Sequence, residues 1–479
     1  MDQSVISYLK NKHISVIEEN IPEKLTVWRQ WYEGKVDGFH DYKIYTGKKH
    51  LNKERKTLNM AAKVCQRWAD LALNEKVEFS VTDEYTQEKL KQLLKQVNFY
   101  VRGNNLLESA FALGGGFFIQ YWDGKKTSQK YITQEYMYPI SFDSGRLREA
   151  AFSSNRTIAG KEYTYLETHL LDENGEYVID NSLLETHGNE LIEVGESFYK
   201  QYNIEPKIET HRSDPCFQMI RPNVANKKKF DSPFGTSVFA GATDAFKVCD
   251  AVFDSYYKEF ILGKKRIFAS EDIANYNYVS KEGQGGEMVP VFDPNDEVFY
   301  SLRDAENKNP PIQESNMALR VAEHDQALQT QLNIISQLCG FGANGFKWES
   351  NGLATATQII SENSDMFRTL KKHEAILRDA ILDMAKGLLY FEREFGGDKR
   401  INLDSDITVD FDDSIIEDTA EIRRQAMLDY NAGLISKAEY FRQVYKLSRE
   451  QAEQFVLDMA AEQNAELSLM RIQEEPEGA

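Results

Sequence analysis

Five aspartates occupy ten positions near the end of the sequence, and their type and spacing fit metal-assisted catalysis. They are Asp404, Asp406, Asp410, Asp412 and Asp413. Carboxylates grouped in this way can hold a divalent cation that activates water for phosphodiester cleavage. Ile407, Val409 and Phe411 alternate with polar residues, however, which predicts a short strand with a solvated edge. No histidine or lysine lies nearby, so a metal-dependent nuclease stays an alternative function.

Gly114 to Gly116 are three consecutive glycines that could cradle a phosphate. They lie inside the apolar run Phe111 to Ile119 and lack a strand–loop–helix context, so an apolar strand or tight packing is the favoured interpretation. The sequence contains no GxxxxGK[ST], no HExxH and no GxSxG, and its eight histidines are scattered. We therefore predict a protein that is not an enzyme, without a cofactor and without a metal.

Two segments of the sequence carry basic residues that could contact an anion. Lys264, Lys265 and Arg266 follow a long helical pattern, where they can compensate the helix dipole or contact an anion. A glycine-rich segment, residues 340–352, carries Lys347 as its one cation. Because glycine adopts many conformations, a loop that can move is predicted there.

Mixed α and β structure is predicted for the first part of the chain, to about residue 230. Apolar spacings of three and four indicate helices at 58–73 and 82–97, and period two begins beyond Gly116. Asn174-Gly175 predicts a two-residue hairpin turn, and Asp143-Ser144-Gly145 predicts a similar turn. Trp28, Trp31 and Tyr32 are expected to bury an N-terminal segment.

The rest of the chain alternates between long helices and short interruptions. Helices are predicted at 238–262, 319–338 and 354–395, with a strand-containing segment at 267–317. Ser436…Glu439 and Ser448…Gln451 each form a capping box, and Gly433 is the expected C-cap between two C-terminal helices. The two helices that flank the strand-containing segment must run roughly antiparallel.

The composition excludes several classes of protein. The 479 residues include 57 basic and 76 acidic side chains, for a net charge of -19, which argues against tight static wrapping of nucleic acid. Four separated cysteines support neither a zinc site nor a disulfide framework. The N-terminus lacks a signal peptide pattern and no apolar run approaches a membrane span, so a chain made and used in soluble form is expected.

The order of several segments resembles the portal proteins of tailed bacteriophages, especially those of siphophages of Gram-positive hosts. The segments are Trp28–Gly34, Asn59–Leu71, Ser232–Phe239, Leu262–Phe268, Ala354–Ser364 and Phe411–Ile416. None is catalytic, so the resemblance rests on their joint order over nearly the whole chain. It implies an α+β, mainly helical portal fold assembled as a ring.

The resemblance divides the chain into the parts of a portal subunit. These are a wing (1–230), a stem helix (231–265), a clip (266–318), a second stem helix (319–340), a tunnel loop (341–353), a long wing helix and strand (354–413), crown helices (414–470) and a disordered acidic tail (471–479). Asn344, Lys347, Trp348 and Asn351 would then line the DNA channel. Lys264, Lys265 and Arg266 would form a basic belt at the stem–clip boundary.

The resemblance also implies partners and a location. The chain would be a homo-oligomer, a dodecamer in the virion, at the capsid portal vertex, after synthesis in the host cytoplasm. Double-stranded DNA would pass through it independently of sequence. It would dock the terminase large subunit and then the head–tail adaptor, and it would contact the major capsid and scaffold proteins, with no membrane involved. A head–tail adaptor is the runner-up, although adaptors are usually much shorter.

Overall fold

The computed structural model describes most of the chain. The described residues are 2–19, 21–45, 47–73, 77–188, 190–202, 204–227, 229–270, 277–281, 284–289, 299–302, 312–347, 356–411, 419–445, 447 and 451–459. The chain divides into two compact units. Unit 1 consists of Met1–Trp68, Leu106–Phe118 and Lys130–Ser350, and unit 2 consists of Ala69–Asn105, Ile119–Gln129 and Asn351–Ala479.

Helices predominate in an α+β fold. The helices are α1 (Gln3–Asn11), α2 (Pro22–Glu33), α3 (Met60–Ala72), α4 (Glu84–Gln96), α5 (Phe99–Leu113), α6 (Glu196–Gln201), α7 (Thr243–Leu262), α8 (Val321–Leu338), α9 (Ala356–Glu394), α10 (Thr419–Asn431) and α11 (Lys437–Tyr445). Residues 451–459 are also helical. No helix among the described residues is long and apolar enough to cross a membrane.

The strands form several small sheets and one larger one. They are β1 (Asp41–Tyr45), β2 (His50–Glu54), β3 (Glu78–Val81), β4 (Gly116–Trp122), β5 (Thr127–Thr133), β6 (Met137–Asp143), β7 (Arg146–Ile158), β8 (Lys161–Leu171), β9 (Tyr177–His187), β10 (Glu190–Glu193), β11 (Lys207–Glu209), β12 (Phe217–Ile220), β13 (Arg266–Ser270), β14 (Asn277–Lys281), β15 (Gln284–Val289), β16 (Phe299–Leu302), β17 (Ile312–Ser315) and β18 (Ile407–Asp410). The predicted strands between the first two long helices are confirmed as β13 to β17.

The largest sheet has the strand order β10-β9-β8-β7-β6, with β11 pairing on β9, and lies in unit 1. Successive residues of a strand face opposite sides, and this sheet has a core on each side. Leu166 and Leu184 pack with helix α1 on one side. Tyr165 and Leu183, their immediate neighbours, pack around Tyr199 on the other.

Unit 2 contains the longest helix and the short strand near the aspartates. Strand β18 pairs antiparallel with β3, which places Val409 opposite Phe79. Helix α9 is fastened to α4 by an ion pair between Lys89 and Glu392, 2.7 Å apart. The hydroxyl of Tyr85 donates to Asp398 at 2.6 Å. The prediction of a very long helix after the glycine-rich segment is confirmed over Ala356–Glu394.

Two predictions about local structure are wrong. Helix α7 begins at Thr243, not at residue 238, because the backbone N–H of Val238 donates to Phe111 O at 2.9 Å and residues up to Ala242 form turns. The Asn174-Gly175 turn is a three-residue loop. Gly175 N–H donates to Asp172 O at 3.1 Å with Gly175 at φ 78°, so the extra residue forms a bulge.

Other local predictions are confirmed. The Asp143-Ser144-Gly145 turn closes β6 onto β7 with two positive φ angles, 50° at Ser144 and 81° at Gly145. Glu439 N–H donates to Ser436 Oγ at 3.1 Å, which is the expected cap of α11. Gly433 has φ 73° after α10. The second capping box lies mostly outside the described residues.

The glycine run after α5 packs tightly against a second glycine in unit 1. A Cβ added to Gly235 would lie 1.8 Å from the carbonyl oxygen of Gly114, and a Cβ added to Gly114 would lie 2.6 Å from the carbonyl oxygen of Gly235. The two backbones therefore touch, and only glycine fits. The interpretation of this run as tight packing is confirmed.

Candidate functional site

Helices α7 and α8 are the elements that position both predicted basic segments, and they run antiparallel. The carboxylate of Glu259, near the end of α7, accepts hydrogen bonds of 3.2 and 2.8 Å from the guanidinium of Arg320, which precedes α8. One turn earlier in α7, Ser255 Oγ lies 3.2 Å from Nε2 of His324, one turn later. The prediction of antiparallel helices around the β13–β17 segment is therefore confirmed.

The Glu259–Arg320 pair closes the end of the helix pair from which strand β13 departs. The Arg320 hydrogen bonds lower the pKa of Glu259 to about 2. The acid thus remains ionised and paired over the whole physiological pH range.

The inner side of α7 carries two buried carboxylates that the sequence analysis missed. Asp250 and Asp254 are 3% and 5% exposed and lie one turn apart. Asp250 accepts hydrogen bonds from Thr57 Oγ1 and from Leu58 N–H, both at 2.9 Å. Asp254 accepts one from Lys56 N–H at 3.2 Å. These two acids therefore accept hydrogen bonds from the segment that leads into α3. The available signal was an Asp pair at i, i+4 that falls among the apolar residues of the predicted helix stripe, such as Cys249 and Phe253.

The same two helices also carry large apolar side chains that are exposed. Their exposed fractions range from 38% to 59%. The residues are Val248, Tyr257, Phe260, Ile261 and Leu262 in α7, and Ile334 and Leu338 in α8. Large apolar side chains that remain exposed in this number along two packed helices are typical of a protein–protein interface.

The basic segment lies where α7 ends and β13 begins. Lys264 and Lys265 are exposed, and Arg266 is partly buried as the first residue of β13, opposite Ser315. Lys265 forms an ion pair with Glu314 on the neighbouring strand β17. Part of the positive charge at this point is therefore compensated within the chain.

The start of the glycine-rich loop is fastened to helices α3 and α8. Phe341 stacks on Trp68 with ring centroids 4.2 Å apart. The indole N–H of Trp68 donates to Cys339 O at 3.0 Å, and Gly345 N–H donates to Ser336 Oγ at 2.9 Å. Residues 341–347 contain neither helix nor strand, as predicted, and these contacts hold their backbone against α3 and α8.

Arg67, the neighbour of Trp68 on α3, also holds this loop. Its guanidinium donates to the carbonyl of Gly345 and lies 5.2 Å from the ring centroids of both Phe341 and Phe346. Burial lowers the pKa of Arg67. A cation that contacts two neighbouring aromatic rings and a carbonyl fixes the loop backbone on the surface of α3.

The anchored loop presents two of the predicted contact residues to solvent. Asn344 and Lys347 are both exposed. Trp348 and Asn351 lie outside the described residues. The loop follows the end of α8, whereas Lys264, Lys265 and Arg266 adjoin its start. Because α8 has 18 residues, about 27 Å of helix separates the two groups.

The aspartates near β18 do not form a metal site in the described part of unit 2. Asp404, Asp406 and Asp410 are exposed, whereas Val409 between them is 1% exposed. This alternation is that of a solvated strand edge. Over the described residues, no three His, Cys, Asp or Glu side chains are grouped to hold a metal ion. Asp412 and Asp413 lie outside the described residues.

Comparison with known proteins yields one family. The family described as "Phage portal protein, SPP1 Gp6-like" matches residues 11–467. No curated protein matches the chain.

Two chains from solved structures are similar to this chain. A chain from "Neck of native GTA particle computed with C12 symmetry" is 13% identical, with a TM-score of 0.41, and the match covers 80% of this chain and 89% of that chain. A chain from "Virion of native gene transfer agent (GTA) particle" is 12% identical, with a TM-score of 0.41, and the match covers 81% and 89%.

Proposed function

Because the chain belongs to the phage portal protein family, its role is that of a virion portal subunit, and we propose that twelve copies form a ring at one capsid vertex. Double-stranded DNA is packaged, retained and ejected through this ring. The chain is a structural protein in this proposal, and a separate terminase supplies ATP hydrolysis. It is made in the host cytoplasm.

The observation that carries the ring proposal is the set of exposed apolar side chains on the antiparallel pair α7 and α8. Seven large apolar side chains along two helices are costly to leave in water, at about 25 cal/mol per Å² of apolar surface. A heterologous contact between identical chains closes into a ring when the rotation between neighbours closes. Because these side chains point in several directions around α7, packing each helix pair against a copy on either side would bury them around the whole circle.

The proposed parts of the subunit follow the helices and strands. Helices α7 and α8 would be the stem, strands β13–β17 the clip, the segment from residue 341 the tunnel loop, and α10, α11 and residues 451–459 the crown. The clip would dock the terminase large subunit and later the head–tail adaptor. The capsid and scaffold proteins would contact the outside of the ring.

The proposed DNA contacts are few. Lys347 and Asn344 are exposed on the anchored loop and would contact phosphates without regard to sequence. Lys264, Lys265 and Arg266 would form a second belt, about 27 Å away along α8. The net charge of -19 per subunit would repel DNA elsewhere and limit adhesion during passage.

The ring is tested by native mass spectrometry and electron-microscope class averages of the purified chain. We expect rings of about twelve subunits with a central hole, and a variant with Phe260→Asp and Ile261→Asp should lose them. Asp244→Asn, a change at an exposed residue of the same helix, is the control. Rings that persist in the double variant would contradict assembly through these apolar side chains.

The DNA contacts are tested in a packaging reaction. We expect the quadruple change Lys264→Gln, Lys265→Gln, Arg266→Gln and Lys347→Gln to lower the amount of nuclease-protected DNA per particle several-fold, while rings still form. Lys125→Gln with Lys126→Gln, at an exposed turn of unit 2, is the control for loss of positive charge elsewhere on the chain and removes half as many charges. An unchanged packaging rate together with unchanged retention would exclude these contacts.

A further inference from the structure

Strands β1 and β2 form a hairpin, and among the described strands each pairs only with the other. The two five-residue strands pair in full register, from Asp41 with Glu54 to Tyr45 with His50, and they form a separate two-stranded sheet. Eight of their ten residues are exposed. An isolated two-stranded hairpin is marginally stable in water, so a surface that covers this one would stabilise it.

The base of the hairpin is fixed to the stem, whereas its outer part is not buried. Lys258 of α7 donates to the hydroxyl of Tyr42 at 3.1 Å. The guanidinium of Arg55 donates to Phe39 O at 2.7 Å and lies 4.1 Å from the Phe39 ring centroid. Farther out, Ile44 is 41% exposed and Tyr45 is 62% exposed. The hairpin is thus an anchored arm with an uncovered apolar part.

The charge of this arm is opposite to that of the protein. Lys43, Lys48, Lys49 and Lys53 fall within eleven positions that contain no acidic residue, in a chain with a net charge of -19. Lysines on an edge strand also keep the edge from pairing. That role alone does not require Ile44, Leu51 and Tyr45 on the same hairpin.

We infer that this hairpin, residues 41–54, is an assembly arm that lies on an acidic surface of a second copy of the chain. The inference rests on the proposed ring, since it requires a neighbouring copy. Ile44 and Leu51 share one face of the hairpin, because they are paired residues. They would pack on the neighbour while the lysines pair with its carboxylates. A DNA backbone would satisfy the lysines but would leave this apolar face uncovered.

A site-specific photo-cross-link tests the contact. All four native cysteines are buried, and burial raises the pKa of Cys216 to about 11 and of Cys339 to about 12. A maleimide–benzophenone reagent should therefore label an introduced Tyr45→Cys selectively. Tyr45 adjoins Ile44 but faces the other side of the hairpin, so the label lies beside the proposed contact and leaves the Ile44–Leu51 face intact. Assembled rings are prepared from a mixture of ¹⁵N-labelled and unlabelled chains, and mass spectrometry identifies heavy–light products. Glu173→Cys, at the exposed tip of the β8–β9 hairpin, is the matched control.

We expect heavy–light products from Tyr45→Cys at several times the yield from Glu173→Cys, with partner peptides rich in Asp and Glu. Rings without such products would contradict the proposed contact of the hairpin with a neighbouring copy and would leave the proposed function intact. Cross-links to DNA in filled particles in place of chain–chain products would also overturn it. A chain that never assembles would overturn both proposals.

Charge reversal provides an independent measurement. Lys48→Glu with Lys49→Glu should weaken the rings most at low salt, because like charges would then face each other across each contact. Added salt should lessen this defect, because it screens the repulsion. We expect the subunit dissociation constant to rise by at least about tenfold. Lys125→Glu with Lys126→Glu changes the net charge equally and should leave this constant near that of the parent. Equal effects in both variants would contradict the proposed contact, because the change would then follow from net charge alone.

Discussion

Nε2 of His40 lies 3.1 Å from Oδ2 of Asp250, although the two residues are 210 positions apart. The backbone N–H of Val36 donates to Nδ1 of His40 at 2.8 Å. Nδ1 is therefore an acceptor, and Nε2 is the nitrogen that carries the proton and donates to Asp250. This pair connects the segment after α2 to the inner side of α7, so the buried acid sets where α7 lies within unit 1.

Asp250→Asn should destabilise the protein by about 3 kcal/mol, as is usual when one partner of a buried charged network is lost. The side-chain nitrogen of asparagine would face the donors His40 and Thr57, where a carboxylate oxygen now accepts. The measurement is the denaturant midpoint at fixed protein concentration. Asp244→Asn, whose parent side chain is 91% exposed, should change the midpoint little. Equal midpoints for the two variants would contradict the structural role of Asp250.

Glu167→Gln should remove a pH-dependent part of the stability. Burial by itself raises the pKa of Glu167, but the charge of Lys130 and the hydrogen bond with His169 outweigh it and lower the pKa to about 2. Because the folded-state pKa lies below the ordinary 4.5, the stabilisation is fully present above about pH 4.5 and is lost as the pH falls towards 2.

The difference in unfolding free energy between the parent and Glu167→Gln should thus be about 3 kcal/mol at pH 7. It should shrink by about half or more at pH 3. Glu185, paired with Lys161 on the exposed part of the same sheet, provides the control Glu185→Gln, which should have a much smaller effect at either pH. A difference that is the same at pH 7 and pH 3 would show that Glu167 does not act through its charge.

Arg67→Gln should release the loop that carries Lys347. Glutamine is shorter and uncharged, so it cannot contact the Gly345 carbonyl together with the rings of Phe341 and Phe346 as Arg67 does. Trypsin cleavage after Lys347 is expected to accelerate several-fold, because proteolysis requires a locally opened backbone. Lys63→Gln, one turn earlier on α3, removes the same charge from an exposed position and should leave the cleavage rate unchanged. Identical rates in the two variants would mean that Arg67 does not hold the loop.

Gly235→Ala should destabilise unit 1 by at least about 3 kcal/mol, at the upper end for overpacking. The new Cβ would lie 1.8 Å from the backbone oxygen of Gly114, and a backbone atom cannot rotate away. The control is Gly241→Ala, where an added Cβ meets nothing within 4 Å. Thermal unfolding followed by circular dichroism separates the two, and a tolerated Gly235→Ala would contradict the close backbone approach.

The sequence by itself determined the type and order of the main elements. Spacings of three and four residues placed α3, α4, α8 and α9 to within about two residues, because a helix that packs on one side must bury one face every turn. Period two and the turn residues located the hairpins of the large sheet. The joint order of non-catalytic segments indicated the portal family, which the match over residues 11–467 confirms.

Tertiary structure alone decided which distant residues meet. The start of α7 was misplaced because Phe111, far away in the chain, provides the acceptor that Val238 uses instead of a helical turn. The stack of Trp68 on Phe341 and the contact of Gly114 with Gly235 likewise join segments that no local spacing relates. Periodicity predicts whether a side chain is buried. It does not predict which residues that side chain contacts, because those contacts depend on the packing of elements far apart in sequence.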